Sequence, residues 1–134
     1  MANIGMLLVK QEDFKKAEEV LHTGIKCHEV VPNDQGVAYM KGLLAQAFLG
    51  QGRQDEAGEK VAEAEAIYEQ IEDPRHYSRL LCVRADLCLA QGEVAEARAA
   101  YVQARALAMP LLVNASFGLG RTLSELKERL NEVQ

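Results

Sequence analysis

The chain has 134 residues, of which 49% are hydrophobic and 26% are charged, and this indicates one globular domain rather than a disordered segment. Its net charge of −5 at pH 7 argues against binding to nucleic acid, which requires a basic surface, and against binding to anionic membranes. No apolar run approaches the roughly 20 residues that span a bilayer. The three cysteines are an odd, sparse set that suits a reducing compartment, so we expect a cytoplasmic protein.

The most abundant residues are strong helix formers. Ala, Leu and Glu dominate, aromatic residues make up 5% and there is no Trp. β-branched residues are sparse, and no alternation of apolar and polar residues runs for long. The composition therefore predicts an all-α fold.

An internal repeat of 40 residues organises the sequence. It is marked by three equivalent alanines, Ala17, Ala57 and Ala97. A second small residue follows seven positions later, as Gly24, Ala64 and Ala104, and a third precedes by twelve, as Gly5, Ala45 and Ala85. Small residues suit positions where two helix backbones cross closely, so each repeat is predicted to be a helix pair.

The three predicted pairs follow one another along the chain. Repeat 1 covers residues 1–32, repeat 2 covers 35–72 and repeat 3 covers 75–109. Their internal turns are expected at Gln11-Glu12, Gln51-Gly52 and Gln91-Gly92. Glycine in two of the three turns suits a helix C-cap.

Breaks between the repeats are predicted near residue 33, at Asp73-Pro74 and near Pro110. The residue before a proline disfavours the helical conformation. The last segment, 111–131, continues an apolar stripe at Leu126 and Leu130. No second helix follows it, so we interpret it as a terminal capping helix.

These features resemble the tetratricopeptide repeat. That family's signature places a large residue, then Leu-Gly, then an aromatic residue in the first helix of each unit. The copies here read Met1, Ile4-Gly5 and Leu8, then Lys41, Leu44-Ala45 and Phe48, then Leu81, Arg84-Ala85 and Cys88. The period is 40 residues rather than about 34. The resemblance implies an α-solenoid of three helix pairs plus a C-terminal capping helix.

In this family the first helix of each pair lines a concave surface that binds partners. Carrying the family's positions across gives eight candidate partner-binding residues: Met6, Val9, Lys10, Tyr39, Gln46, Arg79, Cys82 and Asp86. We expect the Cys82 thiol to be accessible on this surface and Cys88 to lie in the core. Where one subtype clamps a chaperone's C-terminal carboxylate, this chain has Ala2, Met6, Gly42 and Gln46, so that interaction is not expected.

No catalytic residues, metal site or cofactor are predicted. The sequence contains no Gly-rich phosphate loop, no His-Glu-x-x-His run and no nucleophile elbow. His22, Cys27 and His28 cluster in the second helix, but they do not share one helical face and a metal needs three or four converging ligands. We therefore interpret these three residues as part of a solvated helix end rather than a metal site.

The resemblance therefore implies a non-enzymatic protein–protein interaction module that binds a peptide or helix of a partner in its concave groove. The alternative is a ligand- or partner-sensing repeat region of a larger bacterial transcriptional or signalling regulator, because long-period arrays of this kind occur in such proteins and in spindle-orientation scaffolds.

The N-terminal edge carries its own expectation. Ile4, Gly5 and Leu8 are predicted to pack on the partner helix, which leaves Leu7 facing the place of a preceding unit. We expect the chain to be a fragment of a longer array, or this edge to be buried in a homodimer.

Overall fold

The computed structural model describes residues 2–30, 34–112 and 117–132, and every regular element in these ranges is an α-helix. The seven helices are α1 (Ala2–Lys10), α2 (Phe14–Val30), α3 (Asp34–Gly50), α4 (Gln54–Tyr68), α5 (Pro74–Ala90), α6 (Val94–Leu112) and α7 (Phe117–Glu132). They form two compact units, residues 1–72 with α1 to α4 and residues 73–134 with α5 to α7. The predicted all-α helical repeat is confirmed.

Helices pack in the same order within each unit. In the first unit α1 packs on α2, α2 on α3 and α3 on α4, while α1 also contacts α3. In the second unit α5 packs on α6, α6 on α7, and α5 contacts α7. The last helix, α7, therefore packs on the pair α5 and α6 in the same way as α3 packs on the pair α1 and α2. It occupies the position of the first helix of a further pair.

The small residues of the repeat lie where the helices of a pair cross. All nine are buried: Gly5, Ala45, Ala85, Ala17, Ala57, Ala97, Gly24, Ala64 and Ala104. At Gly5 the packing is close: an added Cβ atom would come within 2.5 Å of the Cδ2 atom of Leu21. Small residues at the repeat positions thus leave space for side chains of the neighbouring helix, such as Leu21.

All three internal turns have the same hydrogen-bonded geometry. In the second turn the amide of Arg53 donates to the carbonyl oxygen of Phe48 at 2.9 Å, and the amide of Gly52 donates to that of Leu49 at 3.0 Å. This pair of bonds is a Schellman motif, which ends a helix with one residue in the left-handed region. The other turns repeat it with Leu8 and Cys88 in the place of Phe48.

The left-handed residue differs between the repeats. Gly52 and Gly92 have φ values of 77° and 78°, whereas the first turn places Glu12 there with a φ of 60°. A residue with a Cβ atom is strained in this region by about 1–2 kcal/mol. The prediction of glycine C-caps is confirmed for two turns, and the first turn forms the same motif without one.

Helix α5 begins where the sequence predicts a break. Pro74 is its first residue, and the side chain of Asp73 accepts a hydrogen bond from the amide of His76 at 3.2 Å. An aspartate cap followed by proline is a favourable helix start. The predicted break near residue 33 lies outside the described residues.

The break expected near Pro110 falls later, because α6 ends two residues beyond this proline. Helix α6 runs through Pro110 to Leu112. A proline removes one amide donor, but so close to the end of a helix it disturbs only the final turn. The capping helix α7 begins at Phe117, and residues 113–116 lie outside the described part of the chain.

The core of the second unit is built mainly from alanine and leucine. Leu123, Leu126 and Leu130 of α7 are buried against side chains of α5 and α6. Ser78, which is buried, donates from its Oγ atom to the carbonyl oxygen of Ala104 at 2.8 Å and so ties α5 to α6. The predicted apolar stripe at Leu126 and Leu130 is confirmed.

The turn residues generate a first prediction. Gly52→Ala should destabilise the fold by about 1 kcal/mol, because the left-handed strain outweighs the lower entropy of the unfolded chain. Within the described part of the chain an added Cβ atom at Gly52 meets no atom within 4 Å, so the effect reports the backbone alone. Glu12→Gly should stabilise by about 0.5–1 kcal/mol for the converse reason. Urea unfolding measures both, and equal signs for the two changes would contradict this assignment.

A second prediction concerns the helix crossing. Ala57→Leu should destabilise the fold by about 1–3 kcal/mol, because the fully buried Ala57 has no space for a larger side chain. Glu59 lies on the exposed side of the same helix, so Glu59→Ala should change stability by less than about 0.5 kcal/mol. If both variants had the same urea midpoint, the assignment of faces would be wrong.

Candidate interaction surfaces

The first helices of the first unit carry five of the predicted binding residues. Met6, Val9, Tyr39 and Gln46 are half-buried, and Lys10 is exposed. The Oη atom of Tyr39 donates a hydrogen bond to the Sδ atom of Met6 at 3.2 Å. This contact joins α3 to α1, because a thioether sulfur is a weak acceptor that also packs well against aromatic groups. Two of the predicted residues are thus brought together.

Asp86 on α5 is engaged by the capping helix. The Nη2 atom of Arg129 lies 2.6 Å from Oδ1 of Asp86. Burial raises the pKa of Asp86, and the guanidinium of Arg129 opposes that rise. The ion pair links α7 to α5, so Asp86 has a structural role in addition to its predicted binding role. No sequence pattern indicates this pair, since the two residues are 43 positions apart and share no repeat position.

Cys82 and Arg79, two further predicted binding residues, are less exposed than a freely accessible surface would be. Cys82 is only 3% exposed, so the expectation of an accessible thiol is wrong. Burial, with the charge of Asp86, raises the pKa of Cys82 to about 12, so the group stays a neutral thiol at physiological pH. Arg79 is half-buried, and its Nε atom meets no hydrogen-bond acceptor among the described residues. Cys88 lies in the core as predicted.

A polar cluster that the sequence did not reveal holds the second turn against α2. Arg53 donates from Nη1 to Oε2 of Glu18 at 2.8 Å and from Nε to Oε1 of Glu56 at 2.8 Å. Its guanidinium carbon also lies 4.4 Å from the centre of the Phe48 ring, a cation–π geometry. Burial raises the pKa of Glu18, but hydrogen bonds from Gln51 and Arg53 outweigh this effect and bring the pKa below its ordinary value. The cluster stays ionised at neutral pH and clamps α2 to the turn between α3 and α4.

The polar residues that depart from the repeat pattern are accommodated separately. Lys41, in place of a large apolar residue, reaches within 3.8 Å of Glu63 on α4 and keeps its stem largely buried. Arg84, in place of the usual leucine, is exposed. Both departures are therefore compatible with the helix pair.

The N-terminal edge is more apolar than predicted. Leu7 is 54% exposed, as expected, but Ile4, which is predicted to be covered by α2, is 56% exposed. The equivalent residues one repeat later, Leu44 and Ala47, are fully buried, in a helix that contacts both α1 and α2. Ile4 is exposed because α1 has no such neighbours on that side in the described structure. The edge surface therefore consists of Ile4 and Leu7.

Two general features bear on the class of protein. Within the described residues no group of three or more His, Cys, Asp or Glu side chains is placed to hold a metal ion. None of the described helices combines the length and the apolar character that crossing a bilayer requires.

Comparison with known protein families identifies the fold. The family model of the tetratricopeptide repeat matches residues 3–72 and 82–128, which together make up most of the chain. The protein therefore belongs to the tetratricopeptide repeat family. Searches of curated proteins and of solved structures found no match to this chain. Repeats of this family generally mediate protein–protein interactions and typically form a non-enzymatic scaffold.

Proposed function

We propose that the protein is a protein–protein interaction module that binds a peptide or helix of a partner along the first helices of its pairs. The candidate contact residues are Met6, Val9, Lys10, Tyr39 and Gln46 in the first unit, and Arg79 and Asp86 in the second, with Cys82 packed beneath them. The observation that carries the proposal is the Tyr39–Met6 contact. It presents an aromatic ring and a thioether together, half-buried and held in place.

The chemistry of these side chains supports a protein partner. Tyr, Met and Arg are enriched at the centres of protein interfaces, and Tyr and Arg most often carry the binding energy. Tyr39 is held by its bond to Met6 and Arg79 by partial burial. Ordering such side chains before binding reduces the entropy lost when a partner docks. Cys82 contributes packing beneath this surface rather than direct contact, since it is buried.

We also propose a cytoplasmic location. The three cysteines are all free, and two of them are buried. Free thiols are typical of proteins in reducing compartments.

A third prediction tests the binding surface. Affinity capture with the wild-type chain, followed by mass spectrometry, should identify a partner. Tyr39→Ala should then weaken its affinity by about 2 kcal/mol, the usual effect of truncating a central interface aromatic residue, in isothermal titration calorimetry. The matched control is Glu59→Ala, which alters the exposed side of α4. Loss of affinity in the control, with undiminished affinity for Tyr39→Ala, would move the site away from the first helices.

Asp86 needs a control of its own because it also holds α7. Asp86→Asn and Arg129→Gln both break the same ion pair, so both should lower stability slightly. Only Asp86→Asn should weaken binding if Asp86 contacts the partner. Equal losses of affinity in the two variants would assign Asp86 a purely structural role.

A fourth prediction concerns the N-terminal edge. We propose that Ile4 and Leu7 are covered by a preceding repeat or by a second copy of the chain, because the equivalent residues of α3 are fully buried. Light scattering of the chain at micromolar concentration should show association that Leu7→Glu reduces. If a second copy covers this edge, Leu7→Glu should also lower the melting temperature, because a dimer that forms only from folded chains stabilises the fold. A monomer whose stability and solubility are unaffected by Leu7→Glu would show that this edge needs no cover.

A further inference from the structure

The outward sides of the second helices differ sharply between the repeats. In α2 the exposed positions are charged or polar: Lys15, Glu19, His22 and Lys26. One repeat later, on α4, the same positions hold Asp55, Glu59, Ala62 and Ala66, all exposed. On α6 they hold Ala95, Ala99, Val102 and Ala106, again all exposed. A solvated helix face has thus become fully apolar in the third repeat.

This face of α6 has the geometry of a helix-packing surface. It continues through Met109, so its residues are spaced by four, three, four and three positions. That spacing is the heptad pattern by which two helices pack along one another. Val102 is 63% exposed and Met109 is 52% exposed. We call these five residues, from Ala95 to Met109, the α6 stripe.

We propose that the α6 stripe is an interface with a second copy of this chain, in which the two α6 helices pack antiparallel. The stripe itself supplies the reason for choosing this partner. From Ala99 onward, small and large residues alternate along the stripe: Ala99 and Ala106 are small, and Val102 and Met109 are large. In an antiparallel pair each large residue meets a small one across the axis. A parallel pair would instead place each large residue opposite the same large residue and each small residue opposite the same small residue, so the spacing between the helices would vary along the pair.

The pairing fixes a register about a two-fold axis level with residue 104. Val102 of one copy then faces Ala106 of the other, and Ala99 faces Met109. Gln103 meets its own counterpart at one edge of the helix pair, where two amides can exchange hydrogen bonds. Such self-complementary contacts are what a two-fold interface requires.

Charge at the other edge sets the strength of the association. Arg105 is exposed and in this register lies near Arg105 of the second copy, whereas Arg98 is held within its own chain by the carbonyl oxygen of Leu130 at 2.8 Å. The like charges at Arg105 oppose pairing, and salt screens them. A single helix pair is also a small interface. The dimer is therefore expected to be weak and to strengthen with ionic strength.

Sedimentation velocity from micromolar to high-micromolar concentration provides the first test. The wild-type chain should dimerise, and Val102→Glu should raise the dissociation constant at least about tenfold, as for a central interface residue. Ala62→Glu is the matched control, because it introduces the same charge at the equivalent exposed position of α4. It should leave the dimer intact, and circular dichroism should show that both variants fold.

The outcomes separate this proposal from the N-terminal edge. A wild-type chain that stays monomeric at every concentration overturns the proposal. Dimerisation that Leu7→Glu abolishes and Val102→Glu leaves intact also overturns it, because the contact then lies at Ile4 and Leu7. If Ala62→Glu weakened the dimer as much as Val102→Glu, the effect would come from added charge in general, and this result would also overturn the proposal.

A charge exchange at Arg105 tests the antiparallel register. Arg105→Glu chains repel one another as the wild-type chains do, but a mixed dimer places Glu opposite Arg. Native mass spectrometry of an equimolar mixture, with one chain isotopically labelled, should therefore show more mixed dimer than the statistical half. A statistical distribution would overturn the antiparallel pairing about residue 104.

Discussion

The close crossing of two helix backbones is the constraint on which the rest of this structure depends. Nine small residues, three in each repeat, are buried where the helices of a pair approach. Interiors are packed densely, so even one added methylene at such a position must displace a neighbour. Leu21 illustrates this, since it is fully buried over Gly5 with no space for a Cβ atom. The crossing therefore fixes which faces of each helix are buried and which remain exposed.

Turns and polar contacts hold that crossing in place without determining it. Each internal turn closes with the same pair of backbone hydrogen bonds, although one has Glu12 where the others have glycine. The first unit adds the ionised cluster around Arg53, and the second unit adds the Asp86–Arg129 pair and the bond from Ser78 to Ala104. These contacts differ between the units, while the small-residue crossings are common to both. Different local solutions thus stabilise one repeated geometry.

The remaining surfaces divide into two kinds with different chemistry. The first helices carry partly buried residues of mixed character, among them Tyr39 in the first unit and Arg79 in the second. The four equivalent exposed positions compared on the second helices are charged or polar on α2, mixed on α4 and apolar on α6. Because the repeat supplies equivalent positions, each departure can be compared with a reference inside the same chain. Ile4, exposed where Leu44 is buried, and Val102, apolar where His22 is polar, stand out by that comparison.

The sequence by itself determined the helical fold, the helix pairs and the buried small positions, because these depend on local propensity and on a spacing that recurs every 40 residues. The repeat spacing alone assigns Ala57 to a helix crossing. The tertiary structure alone decided the burial of Cys82, the exposure of Ile4 and the pairing of Asp86 with Arg129. Each depends on which helix lies beside which, and a periodic pattern does not encode contacts between residues at unrelated repeat positions. The continuation of α6 through Pro110 to Leu112 is a further feature that the sequence pattern does not indicate.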